Sequence, residues 1–172
     1  MRATFIIALS LIAAPAAAAA VPPADVAGAE RFIDQLYARY RAPVSISIGE
    51  PAQWRLDAVF TPDLVALFDR SAALAPPDEV PEFGDGDHIC QCQDWENLRL
   101  IERQVHITGP GRAEAEVRFE NVGAAKRVRM ILALTPAGWR VADLAYDLYP
   151  NGLAGALRAS VAATEGARAA PH

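Results

Sequence analysis

The chain has 172 residues, 52% of them hydrophobic, with a formal net charge of −5. An acidic chain with no basic run is a poor partner for nucleic acid or for an anionic membrane surface. No apolar stretch reaches the roughly 20 residues that a membrane-spanning helix needs, and the length is that of one domain.

The N-terminus reads as a secretory leader over residues 1–20. Arg2 supplies a positive start, Phe5 to Ile12 an apolar segment, Pro15 a break, and Ala16 to Ala20 an A-x-A cleavage site. Cleavage is expected after Ala20 or Ala18. No cysteine stands near that point to accept a lipid anchor, so the expected destination is the periplasm or the medium. The remaining chain is expected to form a single domain over 21–165, with a loose tail over 166–172.

Within that domain Phe32, Ile33, Leu36, Tyr37 and Tyr40 recur at helical spacing, and Pro43 ends the run. Val44 to Ile48 alternates over too short a span to separate a strand from an extended linker. Trp54, Val59 and Phe60 suggest a second, short helix. Thr61-Pro62-Asp63-Leu64 is a helix start. Thr61 is the expected cap, Pro62 lacks a donor where none is needed, and Asp63 suits the positive end of the helix dipole. Leu64, Leu67, Phe68 and Ala72 give one apolar stripe, which Pro76-Pro77 terminates. From Asp78 to Glu96 the segment is acidic, carries Pro81, Gly84 and Gly86, and contains no Lys or Arg. A loop of this length in a compact domain is often functional.

Four period-two runs follow, over 99–108, 112–122, 126–135 and 138–147, joined by short turns. They predict one antiparallel meander, with Val117 and Phe119 on the inner face and Glu116 and Arg118 on the outer. Leu144 and Tyr146 are out of phase with Trp139 and Val141, which predicts a bulge. A last helix is expected from Asn151, through Leu153, Leu157 and Val161. Helices first and an antiparallel sheet after them is an α+β order.

Three stretches carry a family resemblance: Phe60-Thr61-Pro62-Asp63-Leu64 with Leu67, the Gly84-Asp85-Gly86-Asp87 loop leading to Gln93-Asp94, and Gly138-Trp139-Arg140-Val141-Ala142-Asp143. Together these resemble a family of exported bacterial proteins of unknown function with the nuclear transport factor 2-like fold. The resemblance spans about Glu30 to Tyr146. It implies N-terminal helices packed in a curved antiparallel sheet, forming a cone with an open mouth. It implies no activity, because one fold hosts many functions. The residues expected near such a mouth are Tyr40, Asp85, Asp87, His88, Gln93, Asp94 and Trp95.

Cys90 and Cys92 are the only cysteines. An oxidising compartment favours a disulfide, and their spacing permits one only if the backbone bends at Gln91. The result would be a local clip on the acidic loop. Pairing between chains, free thiols and a metal remain alternatives. Zinc would draw on His88, Cys90 and Cys92 but lacks a fourth ligand at any standard spacing. Calcium would draw on Asp85, Asp87 and Asp94 without the helix-flanked loop template. No metal or cofactor is therefore expected. Nor is there a nucleophile-elbow serine or a Gly-rich phosphate loop.

These features lead to an exported, non-enzymatic binding or accessory module of the periplasm, taking a small ligand in the cone or a protein partner. One competing reading is a small-molecule isomerase or hydrolase built on a carboxylate–tyrosine pocket, for which Tyr37, Tyr40, Asp94 and Asp143 are candidates by type. Another is a protective protein that neutralises a toxin.

Overall fold

A computed structural model describes residues 25–41, 56–84 and 86–169. The expected leader, the alternating run at 44–48, Trp54 and Asp85 lie outside the described residues. The order is α1 (Val26–Ala38), a turn of 3-10 helix (Arg39–Arg41), α2 (Leu56–Val59), α3 (Pro62–Leu74), β1 (Arg99–Gly109), β2 (Arg112–Asn121), β3 (Ala124–Thr135), β4 (Gly138–Ala145) and α4 (Leu153–Ala169). The molecule is α+β: helices packed on a curved, open, four-stranded antiparallel sheet. No described helix is long and apolar enough to cross a membrane.

The sheet is the meander that period-two patterning predicts, in the order β1-β2-β3-β4. Its register puts Val117 opposite Val128, and Ala115 opposite Met130. All four are fully buried, as is Phe119, while Arg118 on the other face is exposed. The bulge anticipated near the end lies at Ala142: Ile131 pairs with Asp143 and Leu132 with Val141. This extra residue turns Leu144 inward, where it is fully buried. Strands β2 and β3 meet at Val122–Gly123, both with positive φ (50° and 74°), the conformation of a tight hairpin turn.

The inner face of the sheet is filled rather than hollow. The buried stripe of α1 (Ala29, Ile33, Leu36, Tyr37) and that of α4 (Leu153, Ala154, Leu157) join Phe119, Met130 and Leu132 in one core. Apolar side chains at helical spacing form one stripe, and an apolar sheet face is the surface that buries it.

Three local expectations are corrected. Thr61 sits at the cap position of α3, but its hydroxyl makes no capping bond. Its backbone N–H instead donates to the Val141 carbonyl at 2.9 Å, tying the helix start to the edge of β4. Asn151 does not cap α4. The carboxylate of Asp143, released sideways by the bulge, accepts from the Ala154 N–H at 2.8 Å. Gly152 (φ +103°) makes room for it, since a Cβ there would lie 2.5 Å from Asp143 Oδ2. Finally, α4 continues through Gly166 to Ala169, past the expected start of the tail at 166. There the Arg168 guanidinium donates to the Leu74 carbonyl at 2.7 Å, satisfying a helix-end acceptor of α3.

Candidate functional site

Among the described residues the segment between α3 and β1 contains no regular element, yet it is tightly tied. Asp87 and Cys92 exchange backbone hydrogen bonds of 2.8 and 3.2 Å. Cys90 and Cys92 lie at disulfide distance within that loop, with Cα atoms 5.2 Å apart. Gln91 between them has φ +52°. This is the bend that a pair two residues apart requires, because an extended chain would hold the Cα atoms too far apart. The bend is pinned to β3 from both sides. Lys126 Nζ donates to the Gln91 carbonyl, and Gln91 Nε2 donates to the Arg127 carbonyl at 2.8 Å.

The clip orients the two polar residues that precede it. Asp87 Oδ1 accepts from the Ile89 N–H at 2.7 Å, and Oδ2 accepts from the Tyr40 hydroxyl at 2.6 Å. Burial and the neighbouring Asp87 carboxylate both push the Tyr40 phenol far above its ordinary range, so it remains a donor. Tyr37, deeper still, donates to the Ile89 carbonyl at 3.3 Å. His88 is held at both nitrogens: Nε2 lies 3.0 Å from the Phe83 carbonyl and Nδ1 2.8 Å from the Tyr146 hydroxyl. A carbonyl only accepts, so Nε2 carries the proton. In the neutral ring Nδ1 then accepts from Tyr146. Burial lowers the pKa of His88, which favours that neutral form. The ring stacks on Phe68 and meets Tyr149 edge-on, with centroids 5.5 and 5.9 Å apart.

Asp87 and His88 form a wall between two depressions. On one side lies a pocket of about 480 Å³ between the end of α1, α2, α3 and the loop. Its lining is mainly apolar, with six rings around it: Tyr40, Phe60, Phe68, Phe83, His88 and Trp95. Trp95 meets Tyr40 edge-on at 5.3 Å. On the other side is a wider, open groove of about 980 Å³, lined by Gln91, Arg118, Lys126, Arg127, Tyr146 and Tyr149 among others.

Of the residues expected at a binding mouth, Tyr40, Asp87, His88, Gln93 and Trp95 line the pocket. Asp94 does not: it is exposed, and its carbonyl accepts from Asn121 Nδ2 at 3.1 Å. Asp143 is spent on capping α4. Among the described residues no group of three His, Cys, Asp or Glu side chains could hold a metal ion. The weighed zinc set is otherwise engaged, with its sulfurs paired and both His88 nitrogens bonded. Sequence reasoning did not single out Phe68, Phe83, Tyr146 or Tyr149 as site residues. Only the phase slip at Tyr146 hinted at an unusual position. Comparisons with protein-family models, with curated proteins and with solved structures return no match.

Proposed function

We propose that this chain is an exported binding module of the nuclear transport factor 2-like type, and that it takes a small, largely apolar ligand in the pocket beside Tyr40 and His88. One observation carries the proposal. The pocket has the volume and apolar lining of a small-molecule site, while each Asp87 oxygen and each His88 nitrogen already has a protein partner. Both nitrogens of His88 are used in structural hydrogen bonds, and Asp87 holds Tyr40 and the Ile89 N–H, so both groups serve to shape the wall. Tyr40 lies beside Asp87 and donates to it, which favours the binding reading over an isomerase with its tyrosine and carboxylate on opposite walls.

A neutral solvatochromic dye such as Nile red tests this proposal. The protein should bind it saturably at one site. Ala72→Trp, which places a large side chain in the lining from the exposed surface of α3, should abolish the binding without lowering the melting temperature. Absence of saturable binding, or equal binding by the variant, refutes the pocket as the site. Export is tested separately by the intact mass of periplasmic protein, which should start at Val21 or Ala19.

A further inference from the structure

Among the described residues the charges lining the pocket are of one sign. They are Asp69 and Asp87, and no described Lys or Arg lines it. Neither carboxylate forms an ion pair among the described residues. The cations lie elsewhere: Arg118, Lys126 and Arg127 line the groove on the far side of the Asp87–His88 wall. Residues 76–96 supply one side of the pocket and contain no Lys or Arg. The Arg39 charge also acts on Tyr40, opposing the effect of Asp87.

The six rings line the same pocket as these two carboxylates. An aromatic face carries partial negative charge, so a cation resting on it is attracted, more strongly as water is excluded. The half-buried Asp87 carboxylate adds to that attraction, and the exposed Asp69 adds a weaker, screened one. An anion would lose hydration and meet repulsion from both. A neutral molecule would gain only from apolar contact.

From this we infer that the pocket selects an organic cation: an amine or quaternary ammonium group on an apolar body, with the charge held between the aromatic rings and the Asp69 and Asp87 carboxylates. This inference rests on the pocket being the binding site proposed above, and it names the ligand class. The Asp87–His88 wall then separates an acidic aromatic pocket from a groove that holds cations. Asp87 also bonds Tyr40 and the Ile89 N–H, so the loop that shapes the pocket positions its charge. Asp69 is exposed on α3 and contributes charge without such a structural duty.

The experiment compares three probes of nearly one shape by calorimetry: phenylpropyltrimethylammonium, its uncharged tert-butyl isostere, and the anion 4-phenylbutyrate. The ammonium should bind about tenfold tighter than the isostere, and the anion weakest. In Asp69→Asn the ammonium should lose about threefold while the isostere is unchanged. Raising the salt concentration should weaken the ammonium alone. If the isostere equals the ammonium, or the anion binds tightest, the cation preference is overturned and the pocket remains a binding site. If none of the three binds, both proposals fall. If Asp69→Asn weakens all three probes alike, the charge argument fails, because the loss is then one of pocket shape.

Discussion

Replacing Tyr40 by Phe removes one hydroxyl and leaves the ring that packs on Tyr37 and Trp95. The hydroxyl donates to Asp87 Oδ2 at 2.6 Å. A hydrogen bond to a charged acceptor contributes about 1.5–3 kcal/mol. Asp87 is half-buried, so water can reach the abandoned oxygen and the expected cost falls to about 1–2 kcal/mol. For a chain of this size that lowers the melting temperature by roughly 3–6 °C. Tyr37→Phe is the control. It removes a neutral bond of 3.3 Å to the Ile89 carbonyl and should cost about 0.5–1 kcal/mol. Urea unfolding at pH 7 measures both. Hydrogen exchange at Ile89 and Cys90 reports whether the loop loosens, since Asp87 Oδ1 accepts from both amides, at 2.7 and 3.4 Å. A cycle with Asp87→Asn should give a coupling of about 1 kcal/mol. If Tyr40→Phe costs no more than Tyr37→Phe, or the cycle shows no coupling, the Tyr40–Asp87 bond does not hold the loop.

Three further outcomes are expected. Cys90→Ser should cost only about 1–2 kcal/mol, because the closed ring is very small and a serine hydroxyl would find the Asp87 and Cys92 carbonyls that lie 3.6 Å from the Cys90 sulfur; exchange should quicken over 86–96, and titration of the unfolded, unreduced wild type should find no free thiols. The folded pKa of His88 lies below 6.5, so the unfolded chain binds this proton more readily. Its contribution is full above pH 6.5 and is lost as the pH falls from there toward the folded value, so unfolding free energy measured between pH 7.5 and 5.5 should decline, less steeply in His88→Gln. Val122 is 67% exposed and holds φ +50°, a region β-branched residues avoid. Val122→Asn should therefore raise stability by about 0.5–1 kcal/mol in thermal unfolding, with the inner-face register unchanged.

Much of this architecture is local and therefore legible in the sequence. Alternation along 112–121 and 126–134 decides which side chains face the core, because successive strand residues point to opposite faces. Thr61-Pro62 marks a helix start because proline suits the first turn and little else in a helix. The Cys90-Gln91-Cys92 spacing requires a bend at Gln91, and φ +52° is that bend. Tertiary structure alone decides the rest. Thr61 spends its N–H on Val141, and Asp143 caps a helix that starts ten residues later. The site is the extreme case. Tyr40 meets Asp87 across 47 positions and Tyr146 meets His88 across 58. Periodicity reports only which face of its own element a residue occupies. Which distant side chain it meets is set by how the helices close over the sheet, and that closure turns an acidic loop and scattered aromatic residues into one pocket.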